Sequence, residues 1–318
     1  MRTKPGTLLQ YALLTALLTA PGVGHADIIY VDNYFANNIE KFDLATGTYL
    51  GTFASTGLSG PAGMAFDSTG NLFVANYFGN YIEKFSPNGV GSVFATGLST
   101  PSSLAFDKAG NLYVANFYGN TIEKFTPGGV GSVFASTGLN GPMGLAFDSA
   151  GNLYAANYYG NTIEKLTPGG VGSVFASSGM NYPWGLAFDS TGNLFVANFW
   201  GNNIEKFTSG GVGSIFASVS ATYSSLRNLA FDRAGNLYAT DYNNDTIMKF
   251  TPNGVGSVFA SSGMNNVEGI VIQVIPEPST FAFLGLGSLT LLALRRRKAS
   301  TGSSDADCGC PACLSSGR

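Results

Sequence analysis

The chain repeats itself. From Ile28 to Val274 a unit recurs in six near-copies, reading N-L-[F/Y]-V-A-N-[F/Y]-x-G-N-x-I-E-K-F, then G-G-V-G-S-V-F-A-S, then G-L-A-F-D. The anchor residues Asn71, Asn111, Asn152, Asn193 and Asn236 are spaced by 40, 41, 41 and 43, and a degenerate first copy starts at Ile28. A unit this short cannot bury its own apolar face, so each copy must stack on its neighbours and the fold must be an array of one element.

Each copy divides into four β-type segments. In one copy they are Gly144 to Asp148, Asn152 to Asn157, Thr162 to Leu166 and Gly172 to Ala176, short, rich in β-branched and aromatic residues, and without helical periodicity. D-S-A-G-N between the first two reads as a tight hairpin turn, and P-G-G-V-G as the turn before the last. Four short antiparallel strands per copy make one propeller blade. The first copy lacks the G-L-A-F-D strand and the last ends with it, at Ile270 to Val274. The expectation is an all-β, six-bladed propeller, four antiparallel strands per blade, whose ring is closed by the C-terminal strand.

Read through all six copies, P-x-G-L-A-F-D-x-x-G-N-L-[F/Y]-V-A-N-x-x-x-N-x-I-x-K-F resembles the NHL-repeat family over most of the chain. The resemblance implies the same six-bladed ring, used for protein, RNA or glycan binding and, in gluconolactonase-like and strictosidine-synthase-like relatives, for catalysis. The fold does not choose among these.

The two ends carry addresses. Arg2 and Lys4, the apolar stretch Leu8 to Ala20 and Gly24-His25-Ala26, small at its first and last positions, read as an export signal cut after Ala26, giving residues 1–26 as a signal peptide and 27–275 as the propeller. Beyond it come Pro276-Glu277-Pro278, an uncharged run from Phe281 to Leu294 and the cluster Arg295-Arg296-Arg297-Lys298. This order resembles the PEP-CTERM sorting signal over residues 276–298, which implies an exosortase-type processing enzyme as partner and an envelope or extracellular-matrix destination in a Gram-negative bacterium. The run is about 21 Å long as a helix, shorter than a roughly 30 Å hydrocarbon core, so a transient inner-membrane anchor is expected. The tail 299–318 departs from the usual ending and holds every cysteine of the chain, Cys308, Cys310 and Cys313. Three thiols so close suit a soft metal as well as an incidental polar tail.

Residues 27–276 hold nine Lys/Arg against sixteen Asp/Glu, a net charge of −7, which argues against nucleic acid as a partner. The single histidine, His25, leaves with the signal, closing imidazole chemistry to the mature domain. No cofactor and no metal is expected.

In so uniform an array, positions that vary mark where special function sits. One precedes each innermost strand: Ala62, Ser102, Met143, Trp184, Arg227 or its neighbour Asn228, and Glu268. The propeller layout puts these six around the mouth of the central channel. The resemblance to gluconolactonase-like proteins implies metal ligands on this ring; Glu268-Gly269 matches one of them and the other positions do not, so a lactonase site is not expected. A second recurrence is the aromatic pair after each second strand, Tyr34-Phe35, Tyr77-Phe78, Phe117-Tyr118, Tyr158-Tyr159 and Phe199-Trp200, with Tyr242 alone. One ring of each pair is expected between blades and the other exposed, beside Asn33, Asn76, Asn116, Asn157, Asn198 and Asp241. Flat apolar rings beside amides suit sugars or extended peptides. The candidate ligand-binding set is therefore Trp184, Arg227, Glu268, Tyr118, Tyr159, Trp200, Tyr77 and Met143. The Glu-Lys pairs of the third strands are expected to form ion pairs between blades, and the D-x-x-G-N aspartates to cap hairpins. The chain thus reads as an exported, non-catalytic binding or scaffold propeller for a polysaccharide or protein ligand. A gluconolactonase-like hydrolase or lyase working from Glu268 and a purely structural matrix protein are the alternatives.

Overall fold

The computed structural model describes residues 27–219 and 224–275, which fall within one compact unit, Ala26–Ile275. The export signal and its Ala26 cut site, the Pro276-Glu277-Pro278 motif, the apolar run and the cysteine tail lie outside the described residues. No described helix is long and apolar enough to cross a membrane.

Six four-stranded antiparallel sheets form the blades, and each is built by neighbouring hairpins from the innermost strand outward. Blade two illustrates the rest: Pro61–Phe66 innermost, then Leu72–Asn76, Tyr81–Phe85 and Gly91–Thr96 at the outer edge. The second strands are buried on both faces, which is why they read L-[F/Y]-V-A-N without alternation. The outermost strands are exposed over their first residues.

Blade one is composite. Its second to fourth strands come from Ile28–Asn33, Asn38–Asp43 and Tyr49–Ala54, and its innermost strand is Val267–Gln273 from the other end of the chain. Ile28 pairs with Gln273 and Asn33 with Val267, so the ring is closed as the missing strand of the first repeat requires.

Packing between blades is aromatic. Phe73 meets Phe94 of its own blade at 5.0 Å and Phe106 of the next blade at 5.1 Å, both edge-on, and Tyr113, Tyr154 and Phe195 repeat the arrangement. Each such pair contributes about 0.5–1.5 kcal/mol beyond the area it buries. Near the axis the inner strands of blades four and five leave no room for a side chain at their third residue. A Cβ on Gly144 lies 2.1 Å from the carbonyl oxygen of Trp184, and one on Gly185 lies 2.2 Å from that of Arg227. The glycine of x-G-L-A-F is therefore required in these blades by close approach of the neighbouring blade, whereas Ser103 and Asn228 take its place in blades three and six.

Two faces result. The D-x-x-G-N turns occupy one, where Asp67 Oδ1 accepts from the backbone N–H groups of Thr69 and Asn71 and Oδ2 from the Asn71 side chain, capping the hairpin as expected. The loops between blades and the aromatic loops share the other.

Candidate functional site

The mouth of the channel is on the aromatic face. Ala62, Ser102, Met143, Trp184, Arg227 and Glu268 are each the second residue inside an innermost strand, not a residue of the loop ahead of it. All six are buried. This corrects the picture of a rim of free side chains: position two of the strand already points into the throat, where its neighbours cover it.

Met143 and Trp184 pack with Phe117, and Tyr77, Tyr158 and Phe199 close around them. Trp184 is 7% exposed and lies parallel to Phe199 with ring centroids 5.1 Å apart. The Arg227 guanidinium sits 3.5 Å from the Tyr242 ring centre and 4.3 Å from that of Trp184, and its Nη1 donates to Glu268 Oε2. The structure thus brings Met143, Trp184, Arg227 and Glu268 into one plug. Burial raises the Glu268 carboxyl above its ordinary value against the opposing pull of Arg227.

The aromatic pairs divide as their position at a strand end dictates. Tyr34, Tyr77, Phe117, Tyr158, Phe199 and Tyr242 turn inward and are half-buried or buried. Phe35, Phe78, Tyr118, Tyr159 and Trp200 are exposed, from 50% to 63%, and Asn243 stands in their place in blade six. The result is an arc of exposed rings over five successive blades. Phe35 and Phe78 are near-parallel at 6.4 Å, and Tyr159 lies 5.2 Å from Phe117 of the preceding blade. Tyr77 belongs to the inner row; burial, with the Tyr118 phenol beside it, pushes its hydroxyl well up.

The amides beside the rings are not free. Asn76 Oδ1 accepts from the backbone N–H of Ser59 at 2.7 Å, Asn157 Nδ2 donates to the Gly138 carbonyl at 2.8 Å, and Asn198 is held in the same way. Each fastens the loop leading into its blade. The second amide row, Asn37, Asn80, Asn120 and Asn161, takes a left-handed backbone and accepts from the next blade's loop, as Asn80 Oδ1 does from Thr100 N–H at 2.7 Å. Any hydrogen bonds to a ligand must come from elsewhere on this face.

Two functional candidates escaped the sequence reading, Asp32 and Thr240, and a third, Asn228, entered it only as the alternative to Arg227. Asp32 replaces the alanine of V-A-N, Thr240 replaces it in blade six, and Asn228 replaces the glycine of x-G-L-A-F. Departure from the repeat, the signal that singled out Glu268, marks them equally. They converge on one strand. Asp32 Oδ1 accepts from Gly269 N–H at 2.9 Å, and Thr240 Oγ1 donates to the Glu268 carbonyl at 2.7 Å. Asn228 Nδ2 lies 3.3 Å from that same carbonyl and 3.4 Å from that of Ala62. Asp32 is 0% exposed, its Oδ2 has no partner, and burial together with the nearby Glu268 charge raises its carboxyl well above the ordinary range. Arg227 Nε is likewise unpartnered.

The third-strand pairs correct another expectation. Lys84, Lys124, Lys165 and Lys206 reach the turn aspartates of their own blades, Asp67, Asp107, Asp148 and Asp189, at 3.7–4.0 Å. Glu83, Glu164 and Glu205 are buried apart from any lysine. Alternation along the strand sends Glu and Lys to opposite faces of the sheet, and the carboxylate the lysine reaches is in its own blade.

The sequence carries a PEP-CTERM protein-sorting motif at residues 274–298, which marks an exported, envelope-associated protein and is the recognition signal for exosortase processing. No curated protein matches the sequence. Among solved structures, the nidogen/laminin complex aligns with a TM-score of 0.69 at 19% identity, covering 78% of this chain and 98% of that one. Virginiamycin B lyase from Staphylococcus aureus aligns at 0.60 and 17%, covering 74% and 81%. A protein described as a putative gluconolactonase aligns at 0.57 and 18%, covering 66% and 80%. At these identities the likeness is one of fold.

Proposed function

We propose that this exported propeller is a non-catalytic binding or scaffold module of the cell envelope or extracellular matrix, whose mouth face holds a glycan chain or an extended peptide. The arc of exposed rings over five blades carries the reading. Single exposed aromatics are ordinary, but one on each of five successive blades, all on one face, makes a surface of the kind that stacks on flat ligand units. In this reading Tyr118, Tyr159 and Trp200 make contact, Tyr77 backs them, and Met143, Trp184, Arg227 and Glu268 form the rigid floor. Binding proceeds without an added cation.

The hydrolase or lyase reading asks Glu268 to act on a substrate, yet its carboxylate is committed to Arg227. An inactive form of the Staphylococcus aureus lyase replaces a histidine by alanine, and the one histidine of this chain, His25, precedes the propeller. Turnover of a lactone abolished by Glu268→Gln would establish that alternative.

A glycan and peptide screen on residues 27–276 tests the binding reading, with two tryptophans as opposed controls. Trp200→Ala is expected to lower affinity for the selected ligand at least tenfold while leaving stability within about 0.5 kcal/mol. Trp184→Ala is expected to cost about 3–5 kcal/mol of stability, because the ring it removes is buried. Unchanged affinity in Trp200→Ala, or no ligand in the screen, favours a purely structural matrix protein.

A further inference from the structure

Charge is distributed unequally between the two faces. Of the nine cationic side chains among the described residues, eight lie toward the Asp-turn face: the lysine near the end of each third strand, Lys108 and Arg233. The Asp-turn carboxylates stand beside them. The mouth half keeps Arg227 alone. Against it stand Asp32, Asp241, Asp245 and Glu268, together with the third-strand glutamates tucked under the loops of that face. A Cβ on Gly57 lies 2.9 Å from Glu83 Oε1, and one on Gly138 lies 2.7 Å from Glu164 Oε1. The net charge of the domain is therefore concentrated on the aromatic side, where ring faces also attract cations.

Within the throat the imbalance is local as well. Arg227 answers Glu268, and Asp32 remains with one oxygen bonded to Gly269 N–H and the other to nothing. Two carboxylates face one guanidinium, and the burial that raises the Asp32 carboxyl favours its neutral form until a cation in the throat draws out its charge.

We propose that the mouth face selects a glycan whose sugars carry primary ammonium groups, an amino-sugar chain with its nitrogens unacylated, and that Asp32 sets this preference. The inference rests on the reading of the mouth as a binding surface and narrows its ligand. Flat rings presented once on each of five successive blades suit a chain of repeated sugar rings. The acidic throat repels carboxylated or sulfated glycans and draws the ammonium form.

Titrating the mature domain with a short glucosamine oligomer and with its fully N-acetylated counterpart isolates the charge, because the two share one backbone. The ammonium form is expected to bind about tenfold tighter, the equivalent of one favourable charge interaction, and its advantage is expected to shrink as salt is raised from 20 mM to roughly 0.5 M. Asp32→Asn, which keeps the shape, is expected to bring the two affinities together by weakening the ammonium form alone. Equal affinities in the wild type, or a preference that salt and Asp32→Asn leave untouched, overturn the inference while the binding reading stands. Tighter binding of an oligolysine than of the glucosamine oligomer overturns it in favour of a basic peptide. If neither sugar nor any other glycan or peptide binds, the binding reading itself falls.

Discussion

Blades two to five and the seam between blades six and one are built on the same repeat but held together differently. In the uniform blades, small residues recur along the inner strands, side chains meet through edge-on aromatic contacts, and each lysine is paired with the turn aspartate of its own blade. At the seam, Asp32, Arg227, Asn228 and Thr240 grip the closing strand through Gly269 and Glu268. Consecutive blades are joined by the chain, and apolar contact with a loop amide such as Asn80 or Asn120 at the junction serves between them. The closing strand arrives from the far end of the sequence, and directional polar contacts fix its register where a slip would turn every side chain to the wrong face. The mouth cluster is thereby both a candidate site and a clasp.

Removing Val267–Gln273 breaks the comparison most severely. It exposes the inner edge of blade one and the apolar faces beside it, and cooperative unfolding of the domain is expected to vanish rather than shift. Calorimetry of a chain ending at residue 266 that shows an intact transition would refute closure as the source of cooperativity.

Single charges give the next effect. Glu268→Ala strands Arg227 without its partner in the plug and is expected to cost about 3–5 kcal/mol. Lys124→Ala, which breaks a half-exposed pair of a uniform blade, is expected to cost less than about 1 kcal/mol. Denaturant midpoints of the two variants measure the contrast, and equal losses would dissolve it.

The smallest expected effect is that of pH. Burial raises Glu83, Glu164 and Glu205 above 4.5, and Asp32 and Glu268 also stand above their ordinary values. A carboxyl whose folded value is raised takes its proton more readily in the native state, so the stability withheld at neutral pH returns as pH falls toward the unfolded value. Asp67, Asp107, Asp148 and Asp189 behave oppositely: burial pushes them up, but the hydrogen bonds from their turns outweigh it and leave them below 3.8. Their contribution is lost only as pH falls through those lowered values. Stability is therefore expected to rise from pH 7 to roughly 4 and then to fall, with Asp32→Asn flattening the rise. Urea midpoints that decline steadily from pH 7 downward would contradict this.

The architecture was legible because its determinants are local and repeated. The spacing of Asn71, Asn111, Asn152, Asn193 and Asn236 counts the blades, and the missing strand of the first copy implies its replacement from the other end. The division of each aromatic pair into an inner and an outer ring was legible for the same reason. Partner choice was not. That Lys124 turns to Asp107 rather than to the next blade depends on the reach of a hairpin in space, and that Asn157 is spent on a loop depends on where the loop runs. Asp32 was missed although it breaks V-A-N as plainly as Glu268 breaks its own position, because its distance from the mouth residues in sequence hides their adjacency across the closing pair.

The closing strand is also the segment that continues into the sorting motif, whose match begins one residue after Gln273. A pull applied at residue 275 runs along the axis of Val267–Gln273, in line with its ladder to Ile28–Asn33, so the hydrogen bonds of that ladder bear the load in shear and together. The resistance of the domain to traction from that end is then set by Glu268 and its neighbours at the seam, whatever the strength of the average blade.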